Sequence, residues 1–236
     1  MAGTATIQAA PGGMSDIVRR SGLSTLGSVG GLTQIKSAAA FAAPAFKTRN
    51  VAERKGPVVE HFAEVERTAA RDAAHDCFYP GAGDHLRPGM TQQIGGRTVT
   101  HYWRVSPQMS ALVRQGEEEH LADAARAFAL TYQLVADAIN ALVGRRFGPA
   151  STPAAAQAIA EAELARRVPA ALGVDPARWA SVLDRLLLQT KSRDKQGWHG
   201  VATGPEVTEG TKIVHPLMTL PGTRIGTVPS SQVVNY

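Results

Sequence analysis

One cysteine, Cys77, is the only thiol among 236 residues. A lone cysteine excludes an intramolecular disulfide framework and any multi-cysteine zinc site. It fits a reducing compartment and reads as a small buried residue, even with His75 two positions away. No apolar run approaches the ~20 residues that a membrane-spanning helix needs, so no membrane span is expected. A secretory signal, with its charged start and apolar core of about 7–15 residues, is also missing. Ser37–Phe46 is apolar, but it is short and broken by Pro44. No internal repeat and no coiled-coil heptad is visible. Most of the chain also lacks net charge. Residues 1–56 carry seven basic side chains against Asp16 and Glu53, which accounts for the whole formal charge of +5. A nucleic-acid-binding face on the folded part is therefore not expected. A basic tail can still meet an acidic partner or surface. Its composition mimics a transit peptide, but a flexible packing or export element is the plainer reading. The expected location is the cytoplasm, or a particle that loads or exports the protein without a signal peptide.

Three regions follow from the punctuation. Residues 1–56 are rich in Gly, Ala, Ser and Thr and read as a flexible basic arm with a weak helix near Leu32–Phe46. Residues 57–200 read as the body. Pro57 opens an expected helix to about His75, with Val58, Phe62, Val65 and Ala69 as a thin apolar stripe. A Gly/Pro-rich loop follows from Tyr79 to Met90. Gly95-Gly96 between two alternating stretches predicts a hairpin over about 91–105, with Val99, His101, Trp103 and Val105 on one face. Ser106-Pro107 predicts the start of a long helix over about 107–143, stopped at Gly144. Thr152-Pro153 and Asp175-Pro176 start two more, the last with Trp179, Val182, Leu183 and Leu186 on one face. Residues 201–236 read as an extended arm or short edge strands. The fold class expected is α+β, mainly α: a helical body on one long helix, a small hairpin and extended terminal arms.

The chemistry concentrates on the long helix, at Gly116-Glu117-Glu118-Glu119-His120. This is His-Glu-x-x-His with its first histidine replaced by glycine. At roughly 100° per residue, Val113, Ala124, Phe128, Thr131, Val135, Ile139 and Leu142 share one arc. Glu117 and His120 point toward that arc, Glu118 and Arg114 point away, and Glu119 and Asp123 are intermediate. An inward Glu and His are expensive to bury without partners. Each other, further side chains, water or a metal must satisfy them. In a working motif two His hold zinc and the Glu activates water. Here Glu117 is the candidate general base and His120 a candidate metal ligand, with Asp123 and the distant His199 to complete the set. No second Glu-x-x-His exists for a di-iron site; Asp72-x-x-His75 is a weak imitation. Asp194 and His199 are expected in a loop after the last helix, where functional residues concentrate. The plain alternative there is a helix end, with Trp198 plugging the core. His61 and His101 read as ordinary surface or half-buried histidines. His85 and His215 fall in loops with no recognisable spacing.

The order hairpin, then helix with Glu-x-x-His, resembles the zincin-like metallopeptidases over about residues 91–143. That resemblance implies a general base at Glu117 and a zinc ligand at His120, while Gly116 departs at the other ligand. The chain also resembles uncharacterised bacterial proteins of contractile injection systems and polymorphic toxins, an analogy of context. The expectation is a zincin-like domain that no longer catalyses and acts in protein binding or assembly. One alternative is a structural component of a bacterial or phage particle that self-associates through its arms. The other is a metal-dependent hydrolase with a rebuilt ligand set. No cofactor is the first expectation, and zinc is the cofactor the motif allows.

Overall fold

The computed structural model describes residues 6–21, 32–35, 42–71, 75–195 and 200–224. In chain order these form β1 (Thr6–Ala9), α1 (Gly13–Ser21), β2 (Leu32–Ile35), β3 (Thr48–Lys55), β4 (Val58–Val65), β5 (His75–Tyr79) and β6 (Gly83–Ile94). Then come β7 (Arg97–Val105), α2 (Pro107–Phe128), a π-helical turn (Ala129–Gln133), α3 (Leu134–Asn140), β8 (Arg146–Ala150) and α4 (Pro153–Arg167). The last are α5 (Pro176–Lys195), β9 (Val201–Thr203), β10 (Val207–Glu209) and β11 (Lys212–Thr219). Helix and strand are about equal, and the strands form three sheets among the described residues. The mainly α-helical body expected from the sequence is therefore corrected. No helix among the described residues is long and apolar enough to cross a membrane.

Two compact units divide the chain. The first comprises Thr4–Ser37, Ala74–Asp123 and Leu188–Tyr236. It holds a three-stranded sheet in the order β1-β5-β2 and a larger one in the order β10-β11-β7-β6, with β9 also on β11. β11 runs parallel to β7, and Ile213 lies beside His101 and His215 beside Trp103. Of the stretch expected as an extended arm or short edge strands, β9 and β10 are short strands on β11, while β11 is an internal strand of the main sheet. Met14, Ile17, Phe78, Trp103, Val105, Leu112, Val113 and Leu217 pack as one core.

The Gly/Pro-rich stretch expected as a loop is most of β6. It pairs antiparallel with β7 in two segments, 83–86 and 91–94. Between them Arg87–Met90 stand opposite His101 alone, so the register shifts there. Pro88 has no N–H for a ladder, and Gly89 has φ +74, which suits glycine. The hairpin turn at Gly95-Gly96 has both φ positive, as its two-residue turn demands.

The second unit comprises Met1–Gly3, Ala38–Ala73 and Ala124–Leu187. Its sheet has the order β3-β4-β8. The helix expected after Pro57 is strand β4 of a hairpin turning at Gly56, whose φ is +64. Val51, Val58, Val59 and Val65 are β-branched and favour strand over helix. Alternation then buries Ala63 and Val65 and exposes Val58 and Glu66.

Helix boundaries follow their caps. Ser106 Oγ accepts from Met109 N–H (3.1 Å), Thr152 Oγ1 from Ala155 N–H (3.1 Å) and Asp175 Oδ1 from Ala177 N–H (2.9 Å). Trp179, Val182, Leu183 and Leu186 are buried along α5. The long helix continues from 107 to Asn140 only through its π turn, where Thr131 Oγ1 donates back to the Ala127 carbonyl at 2.6 Å.

Candidate metal centre

The helical arc reads correctly in burial. Val113, Ala124, Phe128, Thr131, Val135, Ile139 and Leu142 are buried, and Arg114 and Glu118 are exposed and ion-paired to each other. Glu117 is buried at 8 % exposure; His120 and Asp123 are half-buried. Among the described residues, none of these three belongs to a cluster of three metal-capable side chains. Asp194 lies in the last turn of α5, not in a loop. Trp198 and His199 lie outside the described residues, as does Asp72. Cys77 is buried on β5.

Such a cluster exists elsewhere, on the main sheet of the first unit. His101 of β7, His215 of β11 and Glu206 of the link before β10 bring one ligand atom each within 4.8 Å of one another. His101 and His215 are buried, at 5 % and 9 % exposure, and Glu206 is exposed. His101 Nδ1 lies 2.9 Å from His215 Nε2, and the rings stack with centroids 5.2 Å apart. His101 Nε2 lies 3.0 Å from the Gln92 amide nitrogen. With that amide donating, His101 carries its proton on Nδ1 and donates it to His215.

The sheet is irregular on both sides of this pair. The β6 bulge faces His101, and bulges recur beside functional sites. On the far edge of β11, β10 pairs with Lys212–Val214 and β9 with Leu217–Thr219. Their link passes His215 and Pro216, which lie between those two ladders. Gly204 N–H holds the link by donating to Pro216 C=O at 2.7 Å. A Cβ at Gly204 would meet the exposed Met218 side chain, which would have to shift. This link is what carries Glu206 to the histidines.

The surroundings of His215 disfavour its charged form. Burial is the largest cause that lowers the His215 pKa; the charges of Arg87 and His101 add to it, and Glu206 opposes them. Arg87 is itself half-buried, and desolvation lowers its pKa against the pull of Glu206. Its guanidinium lies 5.2 Å from the Trp103 ring centroid. The Trp103 indole N–H is buried with no hydrogen-bond partner among the described residues.

These residues fit a metal of the zinc class. Two nitrogens held ~2.0–2.1 Å from one ion at the tetrahedral angle lie roughly 3.3–3.4 Å apart. The observed 2.9 Å needs only a small opening to reach that spacing. Glu206, within 4.8 Å of the histidine nitrogens, must close in to reach carboxylate–zinc distance, a movement open to an exposed side chain. His101 would carry its proton on Nε2 in place of Nδ1, and a rotated Gln92 amide would accept from His101 Nε2–H, the usual outer partner of a ligating histidine. Three protein ligands leave a position for water.

No protein-family model, curated protein or solved structure matched the chain when each was compared.

The sequence reading passed over His101 and His215. One signal was present: each occupies the apolar parity of its strand, His101 between Val99 and Trp103, His215 between Ile213 and Leu217. Their meeting, 114 positions apart, depends on a parallel pairing that no local pattern encodes.

Proposed function

We propose that this protein binds a divalent transition metal, zinc first, through His101, His215 and Glu206, and that the open position supports metal-assisted hydrolysis. The observation that carries the reading is the buried imidazole pair at 2.9 Å with a carboxylate in reach. Neutral imidazole is the form a metal needs, and burial favours it here. The rebuilt ligand set lies on two strands and the link before β10, and does not use the helix motif. Calorimetric titration of zinc into chelator-treated full-length protein tests it. One ion per chain is expected, with affinity at least tenfold weaker in His215→Ala and His101→Ala. Stoichiometric binding unchanged in both variants would sink the assignment.

A second reading is a zincin-like domain without catalysis that acts in protein binding or assembly. It draws support from Glu117, buried on α2 beside Gly116. It also draws support from β6, which ends the main sheet among the described residues and exposes Leu86, Met90 and Ile94. A sheet edge with apolar side chains is a template for strand addition. On this reading Leu86→Lys with Ile94→Lys abolishes self-association in sedimentation and leaves zinc binding intact. Unchanged association would remove the support that β6 gives.

A further inference from the structure

Beside the histidine pair sits a cation with no ion pair among the described residues. Arg87 leaves β6 in the bulge opposite His101. It is half-buried, and among the described residues it makes no hydrogen bond and no ion pair; its one close partner is the Trp103 ring. Five N–H donors on a half-desolvated guanidinium are costly to leave unmatched. Most other arginines of this unit are matched. Arg104 makes two bonds to Asp84 and two to Glu209, Arg114 is paired with Glu118, and Arg19 and Arg20 are paired with Asp16. Arg87 is held in place by the ring beneath it and by a bulge whose Pro88-Gly89 fixes the backbone. Its charge reaches both His215 and Glu206.

Charge balance then asks for an anion. With a divalent ion on neutral His101 and His215, Glu206 cancels one of three positive charges that the ion and Arg87 bring. Two remain in a partly dehydrated place, where uncompensated charge is expensive. The Trp103 indole adds a second unmatched donor to the same neighbourhood.

We infer that the site takes a phosphoryl-bearing ligand, one oxygen on the metal at its open position and the others on the Arg87 fork. This rests on the metal reading above. A dianion matches the surplus charge, and guanidinium presents parallel N–H groups that suit phosphate oxygens. Carboxylate shares the fork but brings half the charge, so it binds more weakly here.

The test uses full-length protein with inorganic phosphate and acetate as probes, each titrated into the cobalt(II)-loaded and the metal-free form. Cobalt supplies a visible spectrum that reports its own ligands. Expected are a phosphate-dependent change in that spectrum, a tighter dissociation constant for phosphate than for acetate, and at least a tenfold loss in Arg87→Gln. Arg87→Lys recovers part of the loss as a point charge without the fork. Circular dichroism and undiminished cobalt uptake by Arg87→Gln establish that the variant is folded and its metal site intact. Cobalt bound with no response to phosphate, or a response untouched by Arg87→Gln, overturns the inference and leaves the metal reading standing. Phosphate bound by the metal-free protein through Arg87, with no cobalt uptake, overturns the metal reading and the bridging geometry together and retains Arg87 as an anion anchor. If neither cobalt nor phosphate binds, both are wrong.

Discussion

His101 and His215 gain their chemistry from burial in an otherwise apolar strand face. Val99, Trp103, Ile213 and Leu217 surround them along the two strands and are all buried. That setting disfavours an imidazolium at His215, which is hydrogen-bonded to His101. Gly13, before the first turn of α1, shows how tightly the same unit is packed. Its φ is +55, and a Cβ there would enter the His85 ring, which the Gly81 carbonyl holds at 2.7 Å. Gly13→Ala is expected to cost about 1–3 kcal/mol from left-handed backbone and steric conflict. A urea midpoint unchanged in that variant would contradict this packing. Residue identity alone revealed the inward Glu117. It could not reveal Glu206, an exposed carboxylate among twenty acidic side chains, because only its link past His215 makes it special.

At the scale of elements, what reads from sequence is what is local. Ser106-Pro107, Thr152-Pro153 and Asp175-Pro176 each open a helix with the side-chain cap that their chemistry offers. Gly95-Gly96 turns the β6–β7 hairpin, and Gly144 with φ +80 closes the helical run after α3. Ser106→Ala is expected to lower stability by about 1 kcal/mol, measured by chemical denaturation at unchanged slope. A loss of zero would mean that Pro107 and the core carry that helix start alone. What did not read is what depends on partners far away. The 57–75 segment has an apolar spacing that a helix could use, yet Gly56 and the valines commit it to a hairpin. β11 looks like an edge fragment because Pro216 interrupts it. Its place inside the sheet comes from β7, a hundred residues upstream. The β6 bulge, read as a loop for its Pro and Gly, is a strand with one excursion.

At the scale of the whole molecule, charge is arranged by sheet face. Opposite the histidines, Arg104, Asp84, Glu209, Lys212 and Tyr102 form a network on the other face of the main sheet. Hydrogen bonding from Arg104 is the largest cause that lowers the Asp84 pKa below the ordinary carboxylate value. Glu209 is lowered by the same arginine. A carboxylate depressed in the folded state stabilises the fold above its unfolded pKa, about 3.9 for Asp. That contribution is lost as pH falls from there through the folded value. Asp84→Asn is therefore expected to lower stability near neutral pH and to flatten its decline below about pH 4. An acid limb identical to that of the parent protein would show that the network is too solvated to matter.

The metal claim stands or falls on where an ion sits. Crystals of the full-length protein grown with zinc, with diffraction collected on both sides of the zinc absorption edge, would give its position directly. The expected result is one anomalous peak within bonding distance of His101 Nδ1 and His215 Nε2, with Glu206 drawn in to complete three ligands. A peak at Glu117 and His120 instead, or none on a well-ordered histidine pair still hydrogen-bonded, would contradict it.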